Sequence, residues 1–557
     1  MIRGDTAEES LFRRAEALVS ARAIESDADL APLFESPAPD DDPEVLRRLR
    51  QMHEACGWVL LESAIADLPT DLRWAYESDA VSIEQLAAVH KALGATSAAD
   101  LGAAVREKRL RGIEGLDPEA EARLGGALPG LRALVPRVPL GRATSLAEPI
   151  LAQLRRSPLV EWAEPIGSLR RGQDFVGDIE IVAATTRPAE VLDALMRQLD
   201  QPRVLHRTER RLYVLRDRFQ IGVRLPEPDN AGAALLHLTG SAAHFEALRA
   251  HAESSGWTLT SGGLHTQDGI LRPSRTEDAI YAEVGLPCIP VEIRNGDDEV
   301  AAAVAGTLPE LVGRRHIRGD LHMHSTWSDG RDSIEAMVDG CRKLKYEYIA
   351  ITDHSPHSAA TRNLSADGVK QQADEIARLN ERHPEIRILH GCEVDILPDG
   401  RLDFPDHVLE LFDIVLASLH ERAGQSPDQL LKRYLSAMRH PLVAVITHPT
   451  NRVIPSRAGY ELDYDRLFAA AVETRTILEI DGSPSHLDLD GALARRAVSA
   501  GATVVIDSDC HRAEMLDRQM TFGIMTARRG WVEPRHVLNT RPLEEVRAAI
   551  AAKRAGR

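Results

Sequence analysis

Aromatic side chains are scarce, 4% of the 557 residues, so no obvious run of rings is available for the bases of a single strand to stack on. Thiols are scarce too. The five cysteines (Cys56, Cys288, Cys341, Cys392 and Cys510) stand far apart with no C-x-x-C pair, which excludes a thiolate zinc knuckle and argues for a reducing compartment without structural disulfides. No apolar run is long enough to span a bilayer, and the opening "MIRGDTAEES" lacks the apolar core of a secretion signal; a cytoplasmic protein with no membrane contact is expected. Positive charge is in deficit. Lys+Arg 67 against Asp+Glu 85 gives a net charge of −18, so the chain as a whole is not drawn to phosphate backbones and any nucleic-acid contact must be local.

What is present begins with length, which exceeds one ordinary core and predicts several domains. From Thr6 to about Val135 apolar residues recur at threes and fours, as in "VLRRLRQMHEACGWVLLESAIADL", and predict helices. Between Glu161 and Leu225 short strands take over: "GDIEIVAATT", "RRLYVLRD" and "FQIGVRL", with one helix in "PAEVLDALMRQL". Helical patterning returns in "AAHFEALRAHAESSG", and an acidic, Ala-rich helical stretch, "NGDDEVAAAVAGTLPELV", leads to Arg314.

Beyond it, apolar strand-like runs alternate with helical segments: "YIAITDH", "RILHGCEVDI", "DIVLASLH", "VAVITHP", "TILEIDG" and "TVVIDSDCH". Each carries His, Asp or Glu at or near its end. A parallel β/α barrel places such strand ends in one mouth, where its chemistry lies. The residues so placed, together with the H-x-H of "DLHMHSTWSDG", are His322, His324, Asp329, His354, Glu393, His420, His448, Asp509 and His511. A lone H-x-H is a weak signal, but strand after strand ending this way would bury many polar groups at a cost that metal ions remove. Imidazoles with a minority of carboxylates suit zinc, manganese or iron(II), and carboxylates can bridge neighbouring ions, so two or three divalent metals (Mn2+ or Zn2+) are expected.

The segments "DLHMHSTWSDG", "ITDHS", "GCEVDI", "ASLH", "THP" and "SDCH" resemble the successive motifs of the PHP (polymerase and histidinol phosphatase) domain, with all nine family ligand positions filled. The resemblance implies a distorted seven-stranded β/α barrel over residues 315–557 that hydrolyses phosphoesters. It also makes Arg452, in "HPTNR", a candidate for steadying a phosphate, and Asp353 a candidate for orienting a metal ligand.

Upstream, "GSLRRGQDFVGDIEIV" resembles the palm motif of X-family DNA polymerases, and "AALLHLTGSAAHFEALRAHAESSGWTL" with "IYAEVGLPCIPVEIR" resembles their late palm and thumb. The implied organisation is a helical, degenerate helix-hairpin-helix DNA-binding-like region at 1–138, a nucleotidyltransferase palm at 139–225, a thumb at 226–296, a linker at 297–314 and the barrel. Gly167, Ser168 and Arg171 would then face a nucleotide triphosphate. Asp178 and Glu180 would be what remains of the metal-binding carboxylates, with Mg2+ the candidate ion. The pattern departs where it matters: the third carboxylate position holds Gly222, which cannot ligate, and Asp217 falls on the opposite strand face by alternation. The first hairpin candidate, "IEGLDPEAEARL", has Asp117 where a second glycine belongs; the other, "SDAVSIEQLAAVHKAL", has neither.

The chain is therefore expected to be a metal-dependent phosphoesterase or 3′–5′ exonuclease acting on DNA ends in repair, with an impaired polymerase core. Gapped, nicked or single-stranded DNA is the expected partner and a nucleotide a candidate ligand. Two alternatives stay open: an active gap-filling polymerase with a PHP exonuclease, and a small-molecule phosphomonoester hydrolase with a nucleotide-sensing scaffold.

Overall fold

The computed structural model describes residues 42–43, 45–47 and 81–556, apart from 82, 96–97, 114, 135–136, 200–202, 217–218 and 359–361. Asp217 and most of the helical run that starts at Val45 lie outside the described residues. Two compact units divide the chain: Met1–Val135 with Val204–Arg207, and Pro136–Arg203 with Thr208–Arg557.

In the first unit helices α1 (Ile83–Leu93), α2 (Ala98–Arg106) and α3 (Pro118–Leu134) bury Leu86, Val89, Leu101, Ala104 and Leu124 against one another. The turn before α3 uses Gly115 at φ 84. Asp117 caps α3, its Oδ1 accepting from the Ala120 amide at 2.5 Å. A carboxylate thus satisfies an amide at a helix N-terminus, the kind of group that binds an anion when left open.

The second unit opens with a small α+β layer. Helix α4 (Leu140–Arg156) and helix α5 (Pro188–Gln198) pack with a sheet built from β1 (Trp162–Pro165), β2 (Ile179–Ala184), β3 (Arg211–Arg216) and β4 (Phe219–Arg224). Strand β2 is buried along its whole length because it lies between β1, antiparallel, and β4, parallel; β4 pairs antiparallel with β3. Gly222 is opposite Glu180 on one side and Tyr213 on the other. A thumb-like layer follows: helices α6 (Pro228–Thr239) and α7 (Ala242–Ser254) and a three-stranded antiparallel sheet around Phe245, Leu248, Leu264, Ile280 and Tyr281. The Ala-rich stretch after it is helical only over Glu299–Ala305, because Gly306 takes the left-handed conformation that ends the helix. Val300, Ala303 and Leu311 join the thumb core, so this connection is packed down.

Seven parallel strands make the barrel in sequential order: β5 (Gly319–Asp320), β6 (Tyr348–Ile351), β7 (Arg387–Asp395), β8 (Ile414–Ser418), β9 (Val443–Ile446), β10 (Ile477–Asp481) and β11 (Val504–Asp507). A parallel bridge between Met323 and Cys510 brings the first strand to the last. Leu321, Tyr348, Leu389, Leu416, Val445 and Val505 fill the interior. The intervening helices start on side-chain caps: Ser333, Ser365, Ser426, Asp463 and Asp490 each accept an amide three residues on.

The α+β layer rests on this barrel through α8 (Leu516–Arg529) and the 482–490 loop. Phe522 and Leu487 are members of the palm-side core. Arg518 donates to the Gly141 carbonyl at 3.1 Å and to Ser145 Oγ at 2.7 Å.

Candidate metal centre and the palm carboxylates

Because strand ends in a parallel barrel share one rim, the nine residues expected from the sequence meet there, and the structure brings them together. Glu393, at the end of β7, is the hub. One of its oxygens lies 3.4 Å from His322 Nε2, 3.6 Å from His324 Nε2 and 3.0 Å from His354 Nδ1; the other lies 2.9 Å from His448 Nε2 and 3.5 Å from His420 Nε2. Asp509 Oδ1 stands 3.1 Å from His324 Nε2 and 3.6 Å from His322 Nε2, and Asp329 Oδ1 stands 3.3 Å from His511 Nε2 and 3.6 Å from His354 Nε2. Four overlapping donor groups result, His322–His324–Asp509, His354–Glu393–His420, His324–Asp329–His354–His511 and, with two residues outside the expected nine, Asp481–His486–Asp509.

The donor set fits divalent ions. The Nδ1 atoms of His324 and His448 are buried with no hydrogen-bond partner. Burial alone would raise the Glu393 carboxyl, but His354, His322 and His420 around it hold it well below the usual range. Burial, with His511 and His354 beside it, pushes His324 down to about 4. Such a cluster of mutually opposed charges has the composition that zinc or manganese sites use.

The backbone is shaped to present these groups. His448 (φ 25) and Asp509 (φ 49) sit in the left-handed region, a strained conformation that bends each strand end into the mouth. Beneath them, Asp507 Oδ1 accepts from Leu321 N at 2.7 Å, and Asp320 Oδ1 from Ser508 N at 3.1 Å, locking the first strand to the last.

Asp353, expected to orient a metal ligand, reaches the loop beside the site and no ligand ring. Fully buried, it accepts from Ser325 N (2.8 Å), Ser325 Oγ (2.6 Å), Ser328 N (3.0 Å), Ser328 Oγ and Gln372 Nε2 (2.7 Å), which fixes the turn between His324 and Asp329. The ring partners are residues that strand patterning did not single out. Glu479 Oε1 takes His322 Nδ1 at 2.6 Å while its Oε2 accepts from His448 N at 2.7 Å, and Asp395 holds His420 Nδ1 at 3.0 Å. Both sit one alternation from another acid, in "LEID" and "CEVD", so period two could have placed them on the inner face.

Arg452 is a correction. Its Nε donates to the His486 carbonyl at 2.7 Å, its Nη2 to the Leu487 carbonyl and its Nη1 to Asp174 Oδ2 at 2.7 Å. A guanidinium spent this way ties the palm to the barrel and does not steady a phosphate. Asp174 also pairs with Arg529.

The palm site is built the opposite way. Glu180 is buried, and its oxygens accept from Arg224 Nη2 at 3.0 Å, from Arg224 Nε at 3.2 Å and from the Tyr213 hydroxyl. A Cβ at Gly222 would stand 2.7 Å from Tyr213 Cε1 and 2.9 Å from Glu180 Oε1, so the missing third side chain is what lets these groups close up. Among the described residues no group of three His, Cys, Asp or Glu donors gathers at Asp178 and Glu180. Gly167 (φ 61) and Ser168, expected to face a triphosphate, open the short helix Gly167–Arg170, with Ser168 Oγ accepting from Gly177 N at 3.3 Å. Arg171, expected to face a triphosphate, instead donates to the Thr239 carbonyl at 2.5 Å.

Comparison with known proteins bears on the domains that carry these residues. Residues 320–480 match the model of the PHP domain, and residues 234–295 that of the DNA polymerase beta thumb. The DNA polymerase/3′–5′ exonuclease PolX of Bacillus subtilis (strain 168) is 37% identical over 494 residues, 88% of this chain and 86% of that one. A probable phosphatase of Thermoanaerobacter sp. (strain X514) is 29% identical over 205 residues, 34% of this chain and 78% of its own. A polymerase beta structure from Leishmania infantum, a ternary primer/template complex, aligns over 39% of this chain and 94% of its own at 15% identity, with a TM-score of 0.26. A barrel-borne hydrolase joined to a nucleotidyltransferase-like layer is thus the class. The chain belongs to the bacterial PolX family, X-family DNA polymerase modules fused to a C-terminal PHP domain. Its barrel is that of a metal-dependent hydrolytic enzyme. No helix among the described residues is long and apolar enough to cross a membrane.

Proposed function

We propose that this protein hydrolyses phosphodiesters at DNA ends, as a 3′–5′ exonuclease or end-processing enzyme of repair in the cytoplasm, and that its palm no longer polymerises. The observation that carries the reading is the contrast at two buried carboxylates. Glu393 meets five imidazoles and Thr447 at the barrel mouth, while Glu180 is already neutralised by Arg224 and Tyr213. Bound divalent ions would supply water activation and neutralise phosphate charge.

The chain's own residues do the rest. His322, His324 and Asp509 would hold one ion; Glu393 with His354 and His420, and His448 beside them, would hold a second; Asp329 and His511 would complete a third position. Glu479 and Asp395 fix the ring orientation and tautomer of His322 and His420, so the second nitrogen of each faces the centre. Asp353 keeps the 325–328 turn in place and with it Asp329.

On the palm side, an attacking primer hydroxyl would need a carboxylate where Gly222 stands. Without it, and with Glu180 engaged, that oxygen loses its activation. The palm and thumb then serve to hold DNA or a nucleotide near the barrel. The Bacillus subtilis relative, by its name both polymerase and exonuclease, supports the nuclease half of this reading.

The test is a paired assay with manganese: extension of a one-nucleotide gap with all four nucleotides, and degradation of the same labelled primer without them. Degradation that disappears in His322→Ala, with no extension, is expected. Extension that Asp178→Ala abolishes would overturn the palm half, and degradation that survives His322→Ala would overturn the barrel half.

A further inference from the structure

A cleft of about 540 Å³ opens beside the metal centre, lined by Asp329, His511, Arg331, Arg362 and Arg512. That size is ordinary for a ligand site, about 300–1,000 Å³. Its charge is not ordinary. In a chain whose acids outnumber its bases 85 to 67, three arginines surround one opening. Among the described residues Arg331 and Arg362 form no ion pair, and Arg512 reaches only the exposed Glu514, at 3.7 Å. An exposed pair of that length contributes little and leaves the guanidinium available.

Two of the three are held in place by the metal-binding segments themselves. Arg331 lies two residues after Asp329, and its amide donates to the His511 carbonyl at 2.8 Å. Arg512 directly follows His511, and the next residue, Ala513, donates its amide to Asp332 Oδ2 at 2.8 Å. The backbone positions of Arg331 and Arg512 are therefore fixed relative to Asp329 and His511, with only the side chains left to adjust.

We propose that Arg331, Arg362 and Arg512 form a subsite for the backbone phosphates of a polynucleotide strand flanking the bond cut at the metal centre. This rests on the nuclease reading above and says which substrates that site prefers. A free phosphomonoester has one anionic group, which the metal centre takes. Additional guanidinia outside the donor cluster suit a substrate with further phosphates, each able to accept paired N–H bonds from an arginine. The cleft opens on the Asp329–His511 side of the centre, so the strand would leave past that edge. Specificity for a polymer over a small ester would then be set by cations next to the centre, despite the net charge of −18.

The experiment compares the full-length protein with Arg331→Ala/Arg362→Ala and with the triple variant that adds Arg512→Ala, in manganese. Two substrates are used, a labelled single-stranded oligonucleotide and bis(p-nitrophenyl) phosphate. The triple variant is expected to raise KM for the oligonucleotide about tenfold or more, equivalent to roughly 1.4 kcal/mol, with kcat little changed. The dependence of log KM on log salt should flatten by about 0.7 for each single-strand phosphate that is no longer neutralised. Turnover of the small diester should be unaltered. Unchanged oligonucleotide kinetics, or an equal loss on both substrates, would overturn the subsite. A wild-type protein that hydrolyses small esters but leaves the oligonucleotide intact would overturn the nuclease reading itself, so the two failures are told apart.

Discussion

The palm and the barrel each bury a carboxylate on a strand, and they differ in where the compensating cation comes from. Glu180 on β2 gets it from inside the chain: Arg224 sits on the adjacent strand β4, and the Tyr213 hydroxyl on β3 completes the pairing. Glu393 on β7 meets histidines and a threonine, and among the described residues no lysine or arginine pairs with its oxygens. A buried charge must be paired or coordinated. The palm has paired its own, and the barrel leaves the position to ions from solution. On the proposed reading the two buried carboxylates thus have opposite capacities for chemistry, and the absent side chain at Gly222 leaves room for Tyr213 and Arg224 to close on Glu180.

This comparison can be broken or sharpened by substitution. Glu393→Gln should have the largest effect, reducing hydrolysis by more than about a hundredfold in a manganese assay, since even partners of metal ligands account for 10–100-fold. Treatment with a chelator should reproduce that loss in the wild type and be reversed by added manganese. Arg224→Ala should leave hydrolysis unchanged while lowering stability by about 3 kcal/mol in denaturant unfolding, because Glu180 is left buried without its cation. If it instead restores primer extension, the ion pair and not the missing carboxylate is what silences the palm. Glu479→Gln is expected to weaken metal affinity or activity about 10–100-fold, read by manganese titration, through release of the His322 ring.

The smallest effect should come at the joint between the two layers. Asp174→Asn should cost about 1.5–2 kcal/mol, at the low end of the range for hydrogen bonds to charged groups. Burial by itself raises the Asp174 carboxyl, but Arg529 and Arg452 outweigh it and hold it below its usual 3.8. The stabilisation is therefore fully present above that value and is lost as pH falls through the depressed one. The gap in thermal midpoint between wild type and Asp174→Asn should be constant near neutrality and narrow below pH 3.8.

How much of this was legible follows from the range of each interaction. The barrel could be read because its signal is local: each strand is a short apolar run closed by a polar residue, so Glu393, His420 and His448 stand out one strand at a time. Gly222 was equally visible, since a glycine in a carboxylate position needs no partner to be understood. The pairing of Glu180 with Tyr213 and Arg224 was not, because it depends on the registers of three strands, Glu180 opposite Gly222 and Gly222 opposite Tyr213. Arg452 was misread for the same reason. Its position after a barrel strand suggested a phosphate, whereas its partner Asp174 is 278 residues away in another layer. The helix predicted through "NGDDEVAAAVAGTLPELV" ran too long because composition favours helix throughout, while the left-handed Gly306 stops it after Ala305.

The central claim, that divalent ions belong to the barrel and not to the palm, is tested most directly by counting bound metal. Manganese stoichiometry would be measured by equilibrium dialysis on wild type, Glu393→Gln and Asp178→Ala, each with and without a deoxynucleotide triphosphate. Loss of bound manganese in Glu393→Gln, with Asp178→Ala matching wild type under both conditions, is the predicted result. An ion lost on Asp178→Ala when nucleotide is present would contradict the account, since the palm would then hold a metal that Arg224 and Gly222 should exclude.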